Sequence, residues 1–189
     1  MNIFICASPG SASQTLISRL EFMLGKKRLR TRTDAGIGNI QFKIKTIHMI
    51  LRKMKLSFLY NDNNLFYGHF FPTKKNLKLA NIFYKNNHYL VTYRNIYEQI
   101  NYFYKFSEFK NRGPLSIIED NQVNNDNIDK SDISLNIYLL MYFYKMWFSL
   151  IQKKKIVNYT LMSFNEIISR NESYDKKIKI LVKGKFKES

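Results

Sequence analysis

Three places in the chain hold residue types that could bind or move an anionic group. The first is Ser8-Pro9-Gly10-Ser11-Ala12-Ser13-Gln14-Thr15, a run of small residues between the apolar stretch Met1–Ala7 and a segment with helical spacing. A loop of small residues lets backbone N–H groups converge, and the helix behind it aims its positive dipole end at the same point, which suits phosphate or sulfate. The same residues also suit an ordinary strand-to-helix turn, with Ser13 as the helix cap. No Gly-Lys-Ser/Thr closes the loop, so it is not a Walker A sequence. The second place is His69, which follows Gly68 and an apolar run. An imidazole, with an ordinary pKa of about 6.5, suits proton abstraction near neutral pH; a histidine hydrogen-bonded locally is the plainer alternative. The third is Arg94, at the end of the run His88–Tyr93 (HYLVTY). Its permanently charged planar fork suits phosphate, although Glu98, four residues on, offers a salt bridge instead.

The elements that must position these residues can be read from periodicity and breakers. Met1–Ala7, Leu65–His69, His88–Tyr93 and Lys155–Tyr159 read as strands. Ser13–Leu24, closed by Gly25, reads as a helix, as do Leu77–Tyr84, Ile96–Phe106, a long aromatic stretch from about Asp132, and Phe164–Ser169. Ile40–Met54 leans towards helix, and the basic run Lys26–Arg32 towards a solvated loop. The Asn-rich stretch 110–131 is expected to be a mobile loop or lid, and the basic stretch 174–189 a flexible tail. Alternating strands and helices predict a single α/β domain over 1–189, a three-layer sandwich with a mostly parallel central sheet. Ligands in such sheets sit at the carboxyl ends of the strands. That places the Ser8–Ser13 loop, His69 and Arg94 on one edge.

Composition bounds the rest. With 189 residues, 45% hydrophobic and 15% aromatic, the chain can bury a substantial core and does not read as disordered. The net charge of +17 favours a polyanionic partner, but Lys, Asn, Ile, Tyr and Phe all have AT-rich codons, so drift in base composition explains much of it. Cys6 is the single cysteine, so no disulfide forms within the chain, and its place in the first strand predicts a buried, inert thiol. His48, His69 and His88 lack metal-ligand spacing, and no metal is expected. Ile133–Ile151 has about the length of a membrane span, but its Asn136, Lys145 and tyrosines predict a buried core helix. The chain opens on a strand without a basic leader or cleavage site, which predicts a cytoplasmic protein without a transmembrane segment.

The three places together resemble the sulfotransferases that use 3′-phosphoadenosine-5′-phosphosulfate (PAPS). The run Ser8–Leu16 is similar to the family's 5′-phosphosulfate loop. Leu90–Tyr104 resembles its 3′-phosphate motif, in which a strand ends in an arginine and a serine lies eight residues on. Tyr67–Pro72 is like the segment that carries the catalytic histidine, Tyr144–Trp147 and Ile156–Tyr159 look like a later helix and strand, and Lys183-Gly184 is similar to a C-terminal cofactor contact. The resemblance spans almost the whole chain and implies a P-loop-NTPase-like sulfotransferase architecture. It implies PAPS held by Pro9, Gly10, Ser11, Ala12, Ser13, Gln14, Thr15, Arg94, Asn101, Tyr102, Lys183 and Gly184, with His69 as the catalytic base.

Three departures stand out. Gly10 stands where the family has a basic residue that neutralises the bridging oxygen as sulfate leaves, Ala12 stands where it has glycine, and Tyr102 stands in place of the expected serine, with Asn101 beside it as a substitute donor. Lys74, Lys75 and Arg19 are the candidates to restore the missing charge. The expected activity is sulfuryl transfer from PAPS to an acceptor hydroxyl, of a carbohydrate given the basic surface. The alternative is a catalytically impaired protein of the same fold that binds nucleotide or polyanion. Nucleic acid is the weaker partner, since charge alone supports it and no recognition motif appears. A nucleotide kinase is disfavoured by the missing Lys-Ser/Thr.

Overall fold

The computed structural model describes residues 1–8, 10–25, 29–30, 65–68, 72–83, 86–105 and 133–183. Its strands are β1 (Asn2–Ala7), β2 (Leu29–Arg30), β3 (Leu65–Gly68), β4 (Asn87–Tyr93) and β5 (Tyr159–Ser163). They form one sheet in the order β2-β3-β1-β4-β5, every pair parallel, with the two-residue β2 at one edge. The described helices are α1 (Ser13–Leu24), α2 (Lys74–Phe83), α3 (Ile96–Lys105), α4 (Ile133–Gln152), α5 (Phe164–Ser169) and α6 (Glu172–Lys183).

All six residues of β1 are buried. That is the expected pattern for a central parallel strand covered on both faces, and it explains why the sequence here is nearly continuous in apolar residues. Side chains alternate between the faces. Ile3, Ile5 and Ala7 meet Leu16, Ile17 and Leu20 of α1, Ile167 of α5, and Tyr174, Ile178 and Leu181 of α6. Phe4 and Cys6 point the other way, against Ala80 of α2 and Phe143, Tyr144 and Trp147 of α4. Ile100 of α3 completes that side by packing on Leu140 of α4. The described elements thus form an α/β sandwich of three layers, with α1, α5 and α6 on one face and α2, α3 and α4 on the other.

The aromatic helix α4 is a core element. Leu140, Phe143 and Trp147 are fully buried, and the Trp147 ring lies 5.6 Å from that of Tyr89. Tyr138 and Met141 occupy the outer side, and among the described residues no helix is long and apolar enough to cross a membrane. Cys6 is fully buried, and burial pushes its thiol well above the usual range, which makes it inert as a nucleophile.

Four local expectations need correction. The strand expected at Lys155–Tyr159 instead runs over Tyr159–Ser163. Its end is set by a capping box: the Ser163 hydroxyl accepts from the Glu166 N–H, and the Glu166 carboxylate accepts from the Ser163 N–H. Ile156 ahead of it still packs into the core, which is why the segment looks apolar in sequence. The basic run at 26–32 contains the edge strand Leu29–Arg30, paired with β3. The expected flexible tail is helical over Glu172–Lys183, with Tyr174, Ile178 and Leu181 buried. Helix α2 begins at Lys74, three residues before its expected start. The expectations for Ile40–Met54 and for 110–131 lie outside the described residues.

Candidate functional site

The sheet order creates the site. From β1 the chain enters α1 on one face and goes to β2 at one edge. From β4, the neighbour of β1, it enters α3 on the opposite face and goes on to β5 at the other edge. The two exits part between the carboxyl ends of β1 and β4, the switch point at which open α/β sheets form their ligand crevice. The loop after β1 and Arg94 after β4 meet there.

The loop is shaped by backbone conformation. Ser11 N–H and the Ser11 hydroxyl both donate to the Ser8 carbonyl, at 3.3 and 2.7 Å, closing a tight turn. The Ser11 hydroxyl in turn accepts from Thr92 at 2.6 Å, which fastens the loop to the end of β4. Gly10 and Ala12 are both left-handed, with φ of 75° and 60°. Glycine adopts this region freely, whereas alanine there costs roughly 1–2 kcal/mol. The helix cap is Ala12, not Ser13, and alanine has no side-chain oxygen to accept from the first turn of α1. The positive end of the α1 dipole lies at this loop.

Beneath the loop lies a closed ring of hydrogen bonds. Gln99 Nε2 donates to Ser8 Oγ at 2.8 Å, Ser8 Oγ donates to the Tyr144 phenol oxygen at 2.6 Å, and the Tyr144 hydroxyl donates to Gln99 Oε1 at 2.9 Å. The Tyr144 oxygen also accepts the Arg94 N–H at 3.1 Å. Burial raises the phenol's pKa, opposed by the bonds from Ser8, the Arg94 N–H and Gln99, so Tyr144 stays a neutral donor. All three side chains are buried, and the ring satisfies each of them while tying β1, α3 and α4 to one point.

Arg94 is the charge at this crevice. Its Nη1 donates to the Gly10 carbonyl at 3.2 Å and its Nε to Glu98 at 3.4 Å. The guanidinium lies 3.8 Å over the Phe164 ring, with the Tyr102 ring at 5.7 Å. Its side chain is 14% exposed while that of Glu98 is 54% exposed, so the salt bridge is a surface pair worth little. The bond across to Gly10 is the shorter and the less exposed of the two. Arg94 thus brings a positive charge to the loop backbone at Gly10. Arg19 does not supply it: it donates to the Ile167 carbonyl at 3.1 Å and stacks over Tyr174. Lys74 is exposed at the start of α2.

The remaining predicted residues are distributed unevenly. Ser11 and Ser13 are buried in the loop and first helical turn, and Gln14 and Thr15 are exposed there. Tyr102 stands beside Arg94, while Asn101 is exposed about 100° further round α3. Lys183 is the last residue of α6. Pro9, His69 and Gly184 lie outside the described residues; Gly68, just before His69, pairs with Cys6 on β1.

Sequence reasoning missed the roles of Thr92, Gln99, Tyr144 and Phe164. Gln99 carried a signal: it is a polar residue three positions from Ile96, on the apolar face of its helix. Tyr144 was hidden among the many aromatics of α4. Compared with known proteins, the chain matches no family model, and no curated protein matches it.

Proposed function

We propose that the chain is a PAPS-dependent sulfotransferase that moves a sulfuryl group to an acceptor hydroxyl, of a carbohydrate, within a P-loop-like architecture. The observation that carries this reading is the Arg94 guanidinium held against Gly10, beside the start of α1, whose cap residue is Ala12. Backbone N–H groups of the loop and the Ser13 and Thr15 hydroxyls would hold the 5′-phosphosulfate, and Arg94 the 3′-phosphate. Arg94 commits Nε and one Nη1 hydrogen among the described residues and keeps other N–H groups for a ligand. In the transfer, the acceptor oxygen forms a bond to sulfur as the bond from sulfur to the phosphate oxygen breaks. The electron pair leaves with 3′,5′-bisphosphoadenosine, and the acceptor proton goes to His69. Protein groups contribute position and positive charge, as in phosphoryl transfer.

The second reading is a non-catalytic nucleotide or polyanion binder. It is favoured by the left-handed backbone at Gly10, which disfavours a basic side chain there, and by Tyr102 in place of a serine. Calorimetric titration with 3′,5′-bisphosphoadenosine tests the shared site. Micromolar binding, weakened at least tenfold by Arg94→Ala and less by Arg94→Lys, is the expected result. Absence of binding overturns both nucleotide readings. Turnover with PAPS that His69→Ala abolishes while binding persists separates the enzyme from the binder.

A further inference from the structure

At the opposite end of the sheet lies a cavity of about 550 Å³. It opens between the start of β4 and the turn that joins α4 to β5, and its lining includes Asn81, Asn86, Asn158, Lys155, Tyr89 and Ile156. Strand β4 runs from Asn87 at this cavity to Tyr93 at the crevice, about 20 Å at the usual rise per residue. A ligand here therefore cannot present an atom to the crevice, and the cavity is a separate site that stands whether or not the crevice binds PAPS.

Two left-handed residues shape its rim. Asn86, with φ of 53°, turns the chain into β4, and its carbonyl accepts from the Asn2 N–H at 3.1 Å. Lys154, with φ of 51°, ends α4: its N–H bonds to the Ile151 carbonyl and the Lys155 N–H to the Leu150 carbonyl, both at 2.9 Å, a Schellman closure. This closure places Lys155 in the cavity wall beside Asn158, and Lys153, Lys154 and Lys155 are all exposed in the same turn.

We propose that this cavity binds an acidic sugar: a hexose or disaccharide bearing a sulfate, phosphate or carboxylate group. The chemistry follows from the lining. Each asparagine amide offers a donor and an acceptor side by side, a match for neighbouring hydroxyls. Asn81 already accepts from Asn87 Nδ2 at 3.1 Å through its Oδ1, so its own N–H groups are oriented by that bond. Tyr89 and Ile156 supply an apolar wall for the C–H face of a pyranose, and the volume suits one or two rings. Lys155 supplies positive charge, and no carboxylate is among the described residues that line the cavity. A purely neutral sugar would make no use of that solvent-facing ammonium.

The test is calorimetric titration of the full chain with lactose 6′-sulfate, beside lactose. Binding of the sulfated sugar, at least tenfold tighter than lactose, is expected. Lys155→Glu should weaken it tenfold or more, and Asn158→Asp, a smaller change that guards against misfolding, should weaken it at least threefold. Arg94→Ala should leave it unchanged. Absence of binding to the sulfated sugar overturns the proposal, as does equal affinity for lactose. Binding lost on Arg94→Ala but kept on Lys155→Glu would also overturn it, by moving the sugar to the crevice.

Discussion

Ala12 is the residue at which the loop departs most clearly from its own geometry. Its φ of 60° belongs to glycine, and the chain bears that strain at the start of α1. Ala12→Gly removes it, partly offset by the greater freedom glycine has when unfolded. Urea denaturation should therefore show Ala12→Gly more stable by about 0.5 kcal/mol; a loss of stability would mean that the packing of the Ala12 methyl on the core outweighs the strain. Gly10 follows the same rule from the other side. At φ of 75° any β-carbon is disfavoured, so this backbone selects glycine at residue 10, and Arg94 brings its charge to the Gly10 carbonyl from the end of β4.

At the scale of elements, the β5–α5–α6 segment is held by one carboxylate. Glu166 caps α5 through Ser163 and also accepts from Ser173 at 2.6 Å and Lys177 at 2.5 Å on α6. Partial burial works to raise its pKa, but Lys177, Ser173 and the Ser163 N–H outweigh it and hold the carboxyl down at about 2. A folded pKa below the unfolded one adds stability that is full above the ordinary carboxylate value and is lost as pH falls through the depressed one. Stability should fall between about pH 5 and pH 2, and Glu166→Gln should flatten that limb while lowering stability at pH 7 by about 1–2 kcal/mol. Chemical denaturation across that range measures both, and an unchanged acid limb in the variant would remove Glu166 as its source.

At the scale of the molecule, the last helix closes over the first strand. Ile178 and Leu181 of α6 share a cluster with Ile3 and Ile5 of β1, so the two ends of the described fold are packed together. Ile178 is 1% exposed. Ile178→Ala should cost about 2–4 kcal/mol and lower the midpoint of a single cooperative transition. A separate early transition would instead show α6 unfolding on its own. The same long-range order produces the crevice, because only the placement of β4 beside β1 brings Thr92, Arg94 and Gln99 under the loop.

Much was determined by the sequence itself, where the signal is local. Continuous apolar runs marked β1 and β4, Gly25 marked the end of α1, and the alternation of elements marked an α/β fold, since these depend on side-chain periodicity and backbone freedom within a few residues. The small-residue loop and Arg94 stood out for the same reason. Tertiary structure decided what local signals could not. The apolar Ile156 reads as strand in sequence, but core packing and the Ser163 capping box move β5 four residues on. The basic spacing of α6 reads as tail until the face of β1 gives Tyr174, Ile178 and Leu181 something to cover. Above all, Arg94 has two partners in sequence terms, a neighbouring glutamate or a distant anion. The neighbouring glutamate is indeed a partner, and strand order adds the Gly10 carbonyl, 84 residues away, because contact across a sheet depends on which strands are neighbours.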